Sequence, residues 1–171
     1  MSDAQTPQLE EYLLNPGYIY IPGKPTLISM VVGSCVAVCL WDKARAIGGV
    51  NHFMFPVTRD PKEATAIYGN VATQTLIRLF LGDGSKRKHL EAQLYGGASP
   101  PDGDLESARI GRENADTARR MLRENKIPVV SEDTGGSKGR KIVFNTSNNE
   151  IVVLKVDRLR RGDWYPYNGK R

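Results

Sequence analysis

The stretch from Leu27 to Leu40 constrains the fold more than any other part of the chain. It is apolar and rich in β-branched residues, and only Gly33-Ser34 interrupts it. Such a run reads as one or two buried strands, because branching at Cβ suits the pleated sheet better than the helix. Asp42-Lys43-Ala44-Arg45 is a four-residue turn candidate, and Ala46 to Phe55 returns as a second strand that ends at Pro56. A chain organised around this hairpin has to bury a sheet.

The flanking segments supply the partners for that sheet. Tyr18-Ile19-Tyr20-Ile21 is a short strand, broken by Pro22-Gly23-Lys24-Pro25. Pro61 opens a helix with Ala64, Ile67, Tyr68, Val71, Thr75, Leu76, Leu79 and Phe80 on one face, and Gly82-Asp83-Gly84 stops it. Gln93-Leu94-Tyr95 is a short strand closed by Gly96-Gly97. Ile110, Asn114, Ala118, Met121, Leu122 and Asn125 mark a second helix. Strands follow at 127–130, 140–144 and 151–156, with Asn148-Asn149 as a hairpin turn between the last two. Strands and helices mix without strict βαβ alternation. The fold class expected is therefore α/β, a mixed α/β sandwich rather than a doubly wound parallel sheet. The expected organisation is a disordered segment over 1–12, a single domain over 13–157 and a basic tail over 158–171.

Composition narrows the function classes. No apolar run is long enough to cross a bilayer, and Met1-Ser2-Asp3-Ala4-Gln5 lacks the charge and apolar stretch of a secretory signal. The expected compartment is the cytoplasm, with no direct membrane insertion. The net charge is +5, clustered at Lys86-Arg87-Lys88, at Lys138, Arg140 and Lys141, and in the tail. No aromatic residues interleave with the charges of the first two clusters, and no nucleic-acid partner is expected. A solvated basic surface, or one facing an acidic protein, fits the pattern.

The first hairpin carries the chemistry. If Trp41 faces Ala46, facing residues sum to 87, and Cys35 and His52 face each other on one side of the sheet. A one-residue slip would separate them to opposite faces. A thiol becomes a nucleophile when an imidazole takes its proton, and the imidazole can return that proton to a leaving amine. The bend at Gly33-Ser34 can aim backbone N–H groups at an oxyanion. The alternative is a buried thiol beside a hydrogen-bonded core histidine. A metal site drawn from Cys35, Cys39, Asp42 and His52 is disfavoured, because residues four apart on a strand lie roughly 13 Å apart. The same distance disfavours a Cys35–Cys39 disulfide. His89, among Lys86, Arg87 and Lys88, reads as a surface histidine.

Gly33-Ser34-Cys35-Val36-Ala37-Val38-Cys39 followed by Gly48-Gly49-Val50-Asn51-His52-Phe53-Met54-Phe55-Pro56 resembles the bacterial chemoreceptor glutamine deamidase family, CheD. The resemblance continues through Tyr95-Gly96-Gly97-Ala98, Ile110-Gly111-Arg112-Glu113-Asn114, Ile127-Pro128-Val129-Val130 and Glu132-Asp133-Thr134-Gly135-Gly136, and ends near Gly139-Arg140-Lys141-Ile142. It implies a sandwich like the catalytic domain of deamidating toxins. It implies hydrolysis of selected glutamines on chemoreceptor cytoplasmic helices, by a cysteine and a histidine that match Cys35 and His52 and without a cofactor. It also implies a CheC-type phosphatase as a partner, which leaves a non-catalytic adaptor for that phosphatase as the alternative function. The family's third member is a threonine six residues before the cysteine, where this chain has Ser29. An extended strand would put Ser29 roughly 20 Å from Cys35, so the chain must fold back near Gly33 for Ser29 to join the site.

Overall fold

The computed structural model describes residues 8–159. Two sheets and a helical layer stack face to face. Strands β1 (Glu10–Leu13), β3 (Thr26–Val32), β8 (Gly139–Asn145) and β9 (Ile151–Val156) form a four-stranded sheet in the order β1-β3-β8-β9. Strands β2 (Tyr18–Tyr20), β4 (Val36–Asp42), β5 (Ile47–Phe53), β6 (Leu90–Gly96) and β7 (Val129–Thr134) form a five-stranded sheet in the order β2-β5-β4-β6-β7. Helices α1 (Gly69–Gly82) and α2 (Leu105–Glu124) cover the outer face of the larger sheet. The fold is α/β.

The apolar run seen in the sequence explains this layering. Residues of β4 alternate between two cores. Val36, Val38 and Leu40 pack with Leu76, Ile77, Phe80, Ala118 and Leu122 of the helices. Ala37 and Cys39 pack with Ile28, Met30, Val32, Ile142 and Phe144 of the smaller sheet. Every residue of β4 is buried, which only a strand sandwiched on both faces requires. The run Leu27–Leu40 is two strands, and they lie in different sheets; the chain crosses between the sheets at Gly33-Ser34-Cys35.

Three expectations need correction. Helix α1 starts at Gly69, not Pro61. The Asp60 side chain accepts from the Lys62 N–H and closes a 3₁₀ turn over Pro61–Glu63. The chain then leaves helical geometry at Ala64. Met54 and Phe55 donate to the Ile67 carbonyl, which ties the intervening segment to the end of β5. The buried face of α1 is accordingly Gly69, Ala72, Thr73, Leu76, Ile77 and Phe80, and Leu79 is exposed. Glu10, Glu11 and Tyr12, expected within the disordered segment, form β1 together with Leu13 in parallel register with β3, Leu13 beside Ser29. The register of the β4–β5 hairpin also differs: Asp42 faces Ile47 and Ala37 faces His52, so facing residues sum to 89. Residues 1–7 and 160–171, including most of the basic tail, lie outside the described residues. No helix among the described residues is long and apolar enough to cross a membrane.

Candidate functional site

His52 sits near the end of β5, between Ala37 of β4 and Tyr18 of β2. Strand alternation puts it on the face that carries Val50, toward the smaller sheet. Cys35 precedes β4 by one residue and packs in the same inter-sheet core as Ala37. The two-residue difference in register preserves parity. Cys35 and His52 therefore share a face, as diagonal rather than directly opposed neighbours, a relation that spans roughly 7–8 Å between backbones.

Both groups are buried and uncharged. His52 is fully buried and Cys35 is 7% exposed. Burial pushes His52 down to about 4, against the opposing effect of its bond to the Leu14 carbonyl. Burial pushes the Cys35 thiol up to about 11, opposed by its own backbone N–H lying against the sulfur. Nδ1 of His52 lies 3.3 Å from the Leu14 carbonyl oxygen. A carbonyl can only accept, so Nδ1 carries the proton and Nε2 presents a lone pair. Nε2 is buried and has no hydrogen-bond partner among the described residues. An imidazole so held is a base waiting for a proton.

Ser29 reaches His52 through its main chain. Its carbonyl accepts from the Leu14 N–H at 2.9 Å, and the Leu14 carbonyl holds His52 Nδ1. The Ser29 side chain points elsewhere. Ile28, Met30 and Val32 occupy the inter-sheet core, so alternation turns Ser29 to the other face of β3. The expected fold-back near Gly33 does occur, but strand parity separates the hydroxyl from the imidazole. Thr26, farther back on β3, donates its hydroxyl to Lys24 and lies at the far end of the strand. Cys39 is fully buried, its thiol pushed well above its ordinary value by that burial. Among the described residues no three His, Cys, Asp or Glu side chains gather to hold a metal.

The loop bearing Cys35 is fastened on two sides. Gly97 N–H donates to the Cys35 carbonyl at 2.8 Å and Ala98 N–H to the Gly33 carbonyl at 2.9 Å. Gly96 holds φ at +116°, and a Cβ there would collide with the Cys35 carbonyl. From the other side, Asn114 of α2 donates to the Ser34 and Met54 carbonyls, each at 2.9 Å. In the sequence Asn114 lies on the stripe of the second helix and closes the Ile110–Asn114 motif, but neither signal gives it a role. Leu14 contributes a carbonyl, which leaves no mark in a sequence. Beyond Met54, a groove of about 820 Å³ runs between Phe55, Pro56 and Tyr68 on one side and Arg109, Ile110 and Arg119 of α2 on the other.

Cys35 and His52 thus share one buried face between the two sheets, beside a loop clamped from both sides. The comparisons give the particular family. Residues 54–155 match the family model described as CheD chemotactic sensory transduction. The chain is 37% identical to the "Probable chemoreceptor glutamine deamidase CheD" of Trichlorobacter lovleyi, over 90% of this chain and 95% of that one. Given the chain's length, that alignment must include Cys35 and His52. It is 39% identical to "Probable chemoreceptor glutamine deamidase CheD 1" of Anaeromyxobacter dehalogenans, over 84% of this chain and 83% of that one. It is 32% identical to the "Probable chemoreceptor glutamine deamidase CheD" of Sulfurimonas denitrificans, over 88% of this chain and 97% of that one. The chain belongs to the CheD family.

Proposed function

We propose that the protein is a cytoplasmic chemoreceptor glutamine deamidase, with Cys35 as nucleophile and His52 as its base. The observation that carries this reading is the buried His52 ring, fixed through Nδ1 by Leu14 and leaving Nε2 unpartnered on the face that holds Cys35. The names of its relatives supply the substrate class.

His52 Nε2 takes the thiol proton as Cys35 Sγ attacks the carbon of a glutamine side-chain amide. The negative charge moves to the amide oxygen, facing backbone N–H groups of the Ser34–Cys35 turn. As the C–N bond breaks, His52 gives its proton to the departing nitrogen and ammonia leaves a thioester. His52 then takes a proton from water, whose oxygen attacks the thioester carbon. The C–S bond breaks, the proton returns to Cys35, and the product is glutamate. Ser29 supports the site through its carbonyl, by way of Leu14. The groove beside Met54 has an apolar floor and a rim of mixed charge, in which Arg109 and Arg119 are paired within the chain and Arg120 and Arg123 stand beside them; it suits an amphipathic receptor helix. A CheC-type phosphatase is the second partner.

The test is ammonia release, with a mass gain of about one dalton per converted glutamine, from a purified receptor cytoplasmic fragment. Wild type should release ammonia and Cys35→Ala should not. Activity retained in Cys35→Ala would refute the mechanism. An inactive wild type that still binds the phosphatase would favour an adaptor.

A further inference from the structure

Asn114 is fully buried on α2, and both hydrogens of its amide are committed to main-chain oxygens: Ser34 O and Met54 O, each at 2.9 Å. Two carbonyl acceptors at one end of the side chain fix that end as the NH₂ group. The other end, Oδ1, is buried and has no hydrogen-bond partner among the described residues. The amide is thus oriented wholly by its donor end. The two carbonyls it joins are informative. Ser34 immediately precedes Cys35, and Met54 follows His52 by two residues.

The helix comes this close because it has no side chain in the way. A Cβ at Gly111 would lie 2.6 Å from the Ala98 carbonyl oxygen and 2.9 Å from that of Gly97. These same residues donate to the nucleophile loop from its other side. The peptides here are trans, and in a trans peptide the carbonyl and the following N–H point in opposite directions. Drawing the Ser34 carbonyl toward α2 therefore drives the Cys35 N–H away from the helix.

We infer that Asn114 is a positioning residue for the deamidation reaction: it sets the Ser34–Cys35 peptide so that the Cys35 N–H faces the thiol and the oxyanion, and it ties that peptide to the strand end that carries His52. This rests on the function proposed above. It adds a residue that touches neither substrate nor thiol. The contact of the Cys35 N–H with the sulfur, which favours the thiolate, agrees with this orientation.

Asn114→Leu keeps a similar volume and removes both donors. Asn114→Ser keeps one donor. Each is compared with wild type by deamidation of a receptor fragment and by the rate of Cys35 alkylation with iodoacetamide between pH 7 and 10. In Asn114→Leu, kcat should fall about tenfold to a hundredfold with KM nearly unchanged, and the alkylation rate should fall at every pH of this range. Asn114→Ser should lie between. A variant with the wild-type near-UV spectrum and an unchanged kcat and alkylation profile would overturn the inference. The alkylation arm needs no glutamine substrate, so an inactive wild type would sink the proposed function and leave this inference to be decided by the thiol. If neither variant folds, the wild-type side-chain amide resonances of Asn114 decide. They should shift when Cys35 is alkylated, and their failure to move would overturn the inference.

Discussion

The buried neutral state of His52 makes a prediction about stability as well as catalysis. Its pKa lies near 4 in the folded protein against about 6.5 when unfolded. The unfolded chain therefore binds the extra proton first as pH falls. The stability contributed by keeping His52 neutral is complete above pH 6.5 and is lost progressively between 6.5 and about 4. With one pKa unit equal to about 1.4 kcal/mol, the loss at pH 4.5 is about 2.5 kcal/mol. Carboxylates such as Asp42 and Asp133, held below their ordinary range in the fold, also cost stability as pH falls, so the comparison needs His52→Gln, which cannot take up a proton there. Urea unfolding of both proteins at pH 7.5 and 4.5 isolates the difference, because the carboxylates contribute equally to each. Wild type should lose about 2–3 kcal/mol more than His52→Gln, a difference of about 1 M in midpoint for a slope near 2 kcal/mol/M. Equal losses in the two proteins would mean that His52 titrates normally in the fold. The picture of a neutral base held out of water would then be wrong.

Two further substitutions probe the clamp on the nucleophile loop. Gly96→Ala puts a methyl group into the Cys35 carbonyl at a positive φ, and should cost more than about 3 kcal/mol in unfolding experiments because steric clash and backbone strain add. Arg140 is buried and donates to Asp133 and to the Gly135 carbonyl, each at 2.9 Å. Gly135 in turn donates to Gly96, and Ser99 to Gly136. Arg140→Met should destabilise by about 3 kcal/mol, at the low end for a broken buried pair, because Lys155 still pairs with Asp133 at 3.1 Å. It should also speed the alkylation of Cys35, and a wild-type alkylation rate would disconnect this loop from the thiol.

The sequence made the hairpin and the shared face of Cys35 and His52 visible, because alternation and turn chemistry are local properties. The register was off by two for an identifiable reason. Asp42 Oδ1 accepts from the N–H groups of both Ala44 and Arg45, which makes Asp42 the last strand residue. Ala46 then takes a φ of 53° inside the loop rather than opening β5. Parity survived, so the face was right and the spacing was not. The start of α1 was hidden because Ala64, Ile67 and Tyr68 have helical spacing, yet the Ile67 carbonyl is held by the N–H groups of Met54 and Phe55, just past β5. Spacing along the chain could bring Ser29 near the site, but only the sheet assignment of β3 shows which way its hydroxyl turns. Leu14 and Asn114 act through contacts 38, 60 and 80 residues away in sequence, a range at which residue type alone carries no register.

The chain crosses between the sheets at two places that matter here: between Leu13 of β1 and Tyr18 of β2, and between Val32 of β3 and Val36 of β4. Leu14 lies on the first crossing and Cys35 on the second. Neither sheet alone contains a complete site, since the larger one holds His52 and both crossings need the smaller one to anchor them. The imidazole tautomer is thus a local record of a global event. The Leu14 carbonyl that selects which ring nitrogen bears the proton is itself tied to Ser29 of the smaller sheet, so the β4–β5 hairpin alone does not fix the tautomer. A chain that has formed the hairpin but not joined the sheets therefore lacks the imidazole form that the proposed reaction needs.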